Sequence, residues 1–304
     1  MSQKPQTGKD SPPMTAQFTA HLRSLLVPGA ALLLPGVSNA LAARVVADLG
    51  FAAAYVTGAG IANSFLGMPD SGLVTATELS EHVAAIRDVF PGPLVVDMDT
   101  GFGNALNTRR CVRSLERAGA NALQIEDQVF PKRCGHFSGK EVIPAEEMTG
   151  KIKAAVDARY DDDLLIIART DAIATDGFEA ALERAAAYHA AGADITFVEA
   201  PTTLEQIREI PRRLPWPQLI NIVVGGRTPE LPNKKLQELR YAGVIYANVA
   251  LQAALLGMQT ALRELQRRGS MADARELVID FAERQRLVRK DELDALESKY
   301  GSKA

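Results

Sequence analysis

The stretch RAGANALQIED, residues 117–127, decides how the chain folds. It opens on the end of a charged amphipathic segment, breaks at Gly119, runs through Ala122, Leu123 and Ile125, and stops at two acids, Glu126 and Asp127. Glycine just past a helix is the usual left-handed stop. A short, nearly all-apolar run after it reads as a strand buried on both faces. The unit is therefore helix, glycine, buried strand, carboxylates. The same order recurs in DLGFAAAYV (48–56), AAGADITFV (190–198) and YAGVIYA (241–247), where Gly50, Gly192 and Gly243 are each expected to end a helix.

Eight apolar runs of strand length follow one another: ALLLPGV (31–37), AAYVTG (53–58), LVVDMD (94–99), ALQIED (122–127), LLIIART (164–170), ITFVEA (195–200), QLINIV (218–223) and VIYAN (244–248). Amphipathic helical patterns such as ALAARVVADLG and ATELSEHVAAIRDVF lie between them. Buried strands alternating with helices imply a parallel sheet, and eight units predict a (β/α)8 barrel of the TIM type. A doubly wound open sheet would show the same local units, but no glycine-rich phosphate turn follows the first run. After the eighth run, residues 251–269 and 271–300 form amphipathic, charge-dense patterns. These read as extra C-terminal helices that close the barrel or dock on a partner subunit.

Composition sets the outer bounds. The 304 residues are 47% hydrophobic and 23% charged with a net charge of -3, which gives no basic excess for nucleic acid. The longest apolar run, LLVPGAALLLPGV, is broken by Pro28, Gly29 and Pro35 and is too short for a membrane span. Residues 1–14 read as a disordered polar tail without a secretory signal, ahead of one barrel domain over 15–304 whose helical extension starts at about 250. Two cysteines make no disulfide framework, and a cytoplasmic location is expected.

Polar residues gather where the apolar runs end: Thr57 and Gly58, Asp97 and Asp99, Glu126 and Asp127, Arg169 and Asp171, Glu199, and Asn221. In this barrel the active site lies at the C-terminal rim, so one rule of placement brings them to one pocket. Asp97, Asp99 and Glu126 come from adjacent strands and would repel without an offsetting cation. Oxygen ligands favour Mg²⁺, with Mn²⁺ as a substitute. The other reading of each acid is a helix cap or a partner for Arg169. Arg169 has the planar fork to grip a substrate carboxylate, or else pairs with Glu126 or Glu199. Cys134 stands in PKRCGH between Lys132, Arg133 and His136, whose charges favour a reactive thiolate. His136 is a base for that thiol or a loop hydrogen-bonding residue. Cys111 fits a helix core, and His21, His82 and His189 fall in helical patterns without assigned chemistry. The residues thus support a Mg²⁺-assisted reaction of a small carboxylate with Cys134 as acid, base or nucleophile.

Together DMDTGFGN, QIEDQVFPKRCGH, IARTDA, FVEAP and GGRTP resemble the isocitrate lyase and phosphoenolpyruvate mutase superfamily over about residues 18 to 290. The lysine-x-cysteine-glycine-histidine signature is similar to its carbon–carbon lyase branch, whose substrates are of the 2,3-dimethylmalate or 2-methylisocitrate type. Oxaloacetate hydrolases or decarboxylases are the alternative, and phosphonomutases and phosphonopyruvate hydrolases fit less well. The resemblance implies Asp97 nearest the metal with Asp99 and Glu126 direct or through water, and a pyruvyl group bound by Thr57, Gly58 and Ala59. It also implies Asp70 in GMPDSG as a second-loop acid, Cys134 as the proton donor after retro-aldol cleavage with Lys132, Gly135 and His136 beside it, and a homotetramer exchanging its last helices. Val223 and Val224 after Asn221 form an apolar wall that favours a smaller, methyl-bearing substrate over a tricarboxylate.

Overall fold

The structure, a computed structural model, describes residues 14–132 and 139–301. Each of the eight apolar runs holds one strand: β1 (Leu32–Val37), β2 (Ala54–Val56), β3 (Leu94–Asp97), β4 (Ala122–Glu126), β5 (Leu165–Thr170), β6 (Ile195–Val198), β7 (Gln218–Asn221) and β8 (Gly243–Tyr246). They close into a barrel in sequence order. All neighbours are parallel, and β8 returns to β1 with Leu32 opposite Gly243 and Pro35 opposite Tyr246. That last pairing removes the open-sheet alternative, because an open sheet leaves two edges unpaired.

Side chains alternate along each strand, so every second residue points to the barrel axis. Leu34, Tyr55, Val95, Ala122, Ile167, Phe197, Leu219 and Ile245 fill the interior. Their outward neighbours Val56, Val96, Leu123, Ile166, Ala168 and Val244 are equally buried, beneath the ring of helices. Burial on both faces is why the strands read as continuous apolar runs rather than alternating ones. Leu22, from the N-terminal helix Met14–Leu25, and Leu26 just beyond it pack into the same interior group.

Gly50, Gly119 and Gly192 follow their helices with φ of 77°, 106° and 110°, the left-handed stops expected from the sequence. Gly243 does not. The helix Asn233–Glu238 ends instead through Arg240, at φ 71°. Gly243 opens β8, where a Cβ would stand 2.8 Å from Leu219 Cδ2 and 2.9 Å from Leu26 Cδ2. Its glycine makes room for the packing of Leu26.

The C-terminal helices Val249–Arg268, Phe281–Leu287 and Lys290–Tyr300 contain no buried residue. Leu256, Leu262 and Phe281 are 67%, 61% and 70% exposed, so these helices extend from the barrel rather than close it. Arg286 ties them back to Asp48, with bonds of 2.6 and 2.7 Å. Among the described residues no helix is long and apolar enough to cross a membrane.

Candidate active site

The inward alternation continues past the strand ends, where it changes from apolar to polar. Tyr55 leads to Thr57, Val95 to Asp97, Ile167 to Arg169, Phe197 to Glu199 and Leu219 to Asn221. The apolar layers fix the strands, and the residue two steps further inherits the same direction. Thr57, Ala59, Asp70, Asp97, Lys132, Arg169, Glu199 and Asn221, all expected from the sequence, line one cavity at this end. Gly58, Asp99 and Glu126 adjoin it through these residues. Cys134, Gly135 and His136 lie outside the described residues.

Asp97 is held by two donors on Oδ1: the Asp99 N–H at 3.1 Å and Gln124 Nε2 at 3.3 Å. The Tyr55 hydroxyl donates to Gln124 Oε1 at 3.1 Å and so fixes the amide's orientation. Asp99 adopts a φ of 48°, uncommon outside glycine. A Cβ on Gly58 would stand 3.1 Å from Asp99 Oδ1 and 3.4 Å from Asp97 Oδ2. The two carboxylates therefore converge above a residue that has no side chain to fill the space. Thr57 fixes that residue by capping the short helix Gly58–Ile61, its hydroxyl accepting from the Gly60 N–H at 3.2 Å.

Lys132 Nζ lies 2.7 Å from Asp70 Oδ1 and 2.8 Å from Asp99 Oδ1 at 4% side-chain exposure. Burial alone would lower its pKa, but Asp99 and Asp70 outweigh burial and raise it, so the ammonium persists. Asp99 goes the other way: burial pushes its carboxyl up to about 6 in spite of Lys132. Burial likewise raises Glu126 well above the carboxylate range against the pull of Arg169. The cations are near these acids but off line. Arg169 Nε is 3.2 Å from Glu126 Oε2, yet among the described residues neither Glu126 oxygen nor Asp99 Oδ1 has an aligned hydrogen-bond donor.

Arg169 commits Nε and Nη2 to Asp171 at 2.8 and 3.0 Å, with Glu199 at 3.7 Å and the Phe197 ring 5.4 Å from its guanidinium carbon. The ion-pair reading of this arginine holds, and it lines the cavity while pairing with Glu126 and Glu199. Asp127 departs from the expected single pocket. It follows the inward-facing Glu126 and turns away from the axis, accepting from the Thr170 hydroxyl at 2.7 Å and the Tyr188 hydroxyl at 2.8 Å. Asp171 sits behind Arg169 rather than on the cavity wall.

The rim acids Asp70, Asp97, Asp99, Glu126 and Glu199 stand near Lys132 and Arg169, so among the described residues carboxyl groups outnumber cations there by three. Uncompensated buried charge is costly. A divalent cation would relieve it. Among the described residues no three acids, histidines or cysteines are gathered closely enough to chelate an ion alone. The donor set fits an ion that keeps solvent and ligand oxygens, as Mg²⁺ does, rather than an all-protein cage.

Tyr55, Phe197, Ala247 and Asn248 also line the cavity and were not singled out from the sequence. Counting back two residues from Thr57 and Glu199 would have found the first two. Lys140, buried against Asp171 at 2.7 Å, gives no such signal, because nothing in a charged loop distinguishes a lysine that folds inward.

The family model for phosphoenolpyruvate phosphomutase matches residues 22–266. The chain is 42% identical over 283 residues to 2,3-dimethylmalate lyase from Eubacterium barkeri, covering 93% of this chain and 98% of that one. It is 47% identical over 252 residues to 2-methylisocitrate lyase from Aeropyrum pernix, covering 83% and 81%. The solved structure of oxaloacetate acetylhydrolase with 3,3-difluorooxalacetate superposes with a TM-score of 0.90 at 32% identity, covering 96% of this chain and 99% of that one. The barrel, its acid-rich rim and these likenesses agree: the chain belongs to the phosphoenolpyruvate mutase and isocitrate lyase superfamily of enzymes, among relatives that are carbon–carbon lyases.

Proposed function

We propose that this enzyme cleaves the C2–C3 bond of a substituted 2-hydroxy dicarboxylate of the 2,3-dimethylmalate type, releasing pyruvate and a second carboxylate. The observation that carries the reading is the surplus, among the described residues, of buried carboxyl groups at the barrel rim, with Glu126 and Asp99 oxygens without aligned donors there. Asp97, with Asp99 and Glu126 directly or through water, would hold Mg²⁺ or Mn²⁺. When bound, the ion would supply positive charge that favours loss of the substrate's hydroxyl proton.

The protein groups do the rest. Thr57, Gly58 and Ala59 receive the pyruvyl end, and the missing side chain of Gly58 leaves space for it beside the carboxylates. Arg169 faces the charge that develops as the bond breaks, and a donor fixed beforehand lowers the barrier most. The C2 hydroxyl proton passes to solvent, the electron pair of the C2–C3 bond passes to C3 and its carboxylate, and Cys134, flanked in the sequence by Lys132, Gly135 and His136, gives a proton to C3 and regains one from solvent. Asp70, Glu199 and Asn221 bound the remaining substrate. Val223 in the cavity wall supports a methyl-bearing substrate over a tricarboxylate, whose third carboxylate would find no polar partner there. The exposed apolar residues of the C-terminal helices support assembly as a homotetramer that exchanges them.

A lactate-dehydrogenase-coupled assay with Mg²⁺ tests the reading on 2,3-dimethylmalate, 2-methylisocitrate, isocitrate and oxaloacetate. Pyruvate from a substituted malate, lost in Cys134→Ala, is the expected result. A second reading, hydrolysis of oxaloacetate, is favoured by the shape match to oxaloacetate acetylhydrolase. Oxalate and acetate from oxaloacetate, with no pyruvate from any malate or citrate derivative, would replace the lyase by the hydrolase.

A further inference from the structure

Behind the cavity wall a line of buried charge ends on one cavity residue. Lys140 Nζ donates to Asp171 Oδ1 at 2.7 Å, with the two side chains 1% and 0% exposed. Asp171 in turn accepts from Arg169 through both oxygens, at 2.8 and 3.0 Å. The backbone N–H of Asp171 donates to Asp127 Oδ1 at 2.9 Å, and Asp127 is pinned by Thr170 and Tyr188. Of these groups only Arg169 lines the cavity.

Stability alone is a poor reason for such an arrangement, because well-packed apolar side chains usually serve as well as a buried ion pair. What the charges do is geometric. Two parallel bonds to Asp171 fix the plane of the guanidinium, and Lys140 and Asp127 fix Asp171 from two further directions, by side chain and by backbone. A fork held on one edge presents its remaining edge to the cavity without reorganising when a ligand arrives.

We infer that Lys140 and Asp171 are positioning residues of the active site, which set the angle at which Arg169 meets a carboxylate or oxyanion of the ligand. The inference rests on the reading of Arg169 as a ligand contact and deepens it by naming what aims it.

Oxalate binding in the presence of Mg²⁺, followed by calorimetry, tests this without relying on turnover. The proteins compared are the wild type, Arg169→Met, Lys140→Met and Asp171→Asn, each checked by circular dichroism and a cooperative melt. Asp171→Asn keeps the side-chain shape, so it decides the matter if Lys140→Met fails to fold. Folded Lys140→Met and Asp171→Asn should bind oxalate about tenfold or more weakly, the usual effect of losing a partner one contact removed from a ligand group. Affinity within about twofold of wild type in both variants, with Arg169→Met impaired, overturns the positioning role and leaves Arg169 in place; a lowered melting temperature alone then marks a structural role. Unchanged binding in Arg169→Met overturns the ligand role of Arg169 and the inference with it.

Discussion

Replacing Lys132 by methionine keeps most of the side chain's length and removes its charge. In the native protein that ammonium stands 2.7 Å from Asp70 and 2.8 Å from Asp99, whose side chains are 11% and 10% exposed. Taking one partner from a buried ion pair costs on the order of 3–5 kcal/mol. The loss here should fall near the lower figure, because Asp99, already raised to about 6 by burial, can take up a proton in place of the missing cation. Asp70→Asn removes one of two carboxylates and leaves Lys132 paired with Asp99, so its cost should be about 1.5–3 kcal/mol. In the double variant no charged Asp70 is stranded, and the combined loss should be smaller than the sum by about 2 kcal/mol. Urea unfolding of the four proteins at pH 7.5 without divalent ions measures the cycle. A second run at pH 5.5 adds a sign test. The folded pKa of Asp99 lies above its unfolded value, so protonation favours the fold as pH falls through 6, and the penalty of Lys132→Met should shrink. Losses additive within about 0.5 kcal/mol, or a penalty that ignores pH, would refute the buried pairing.

Asp171 should show the opposite pH behaviour. Burial would raise it, but Arg169 and Lys140 outweigh burial and hold it at about 2, below its unfolded value. Holding the carboxyl that far below its unfolded value corresponds to stability on the order of 2 kcal/mol, present above about pH 4 and lost as pH falls through 2, and urea titrations of Asp171→Asn should lack this part of the acid limb. Gly36→Ala would place a Cβ 1.9 Å from the Ala247 carbonyl oxygen across the β1–β8 seam, so melting should fall by the equivalent of about 1–3 kcal/mol or more. Val223→Ser should raise turnover of a tricarboxylate relative to 2,3-dimethylmalate by about tenfold in the coupled assay, the scale of one pocket contact. Leu256→Asp with Leu262→Asp should shift the elution volume in size-exclusion chromatography from an assembled to a smaller species, since both leucines are more than half exposed in the isolated chain.

The strands were legible because burial on both faces leaves an unmistakable apolar run, and the rim was legible because polar residues at the ends of such runs must face the same way. Asp97, Arg169, Glu199 and Asn221 follow from that rule alone. Asp127 shows its limit. It lies one residue from Glu126, but alternation sends it behind the wall to Thr170 and Tyr188. Gly243 shows another: a glycine before a strand reads as a helix stop, whereas here it yields space to Leu26.

The sequence by itself determined the element order, the eight doubly buried strands and most of the polar residues at their ends, because periodicity and turn chemistry are local properties of the chain. Only the tertiary structure decided which charges meet. It closed β8 on β1, brought Asp97 and Asp99 over Gly58, set Lys132 between Asp70 and Asp99, and folded Lys140 inward against Asp171. Asp70 and Lys132 are 62 residues apart and Lys140 and Asp171 are 31 apart. Pairings at that range depend on how the loops cross the barrel mouth, and a buried charge can choose its partner only after the barrel has excluded water.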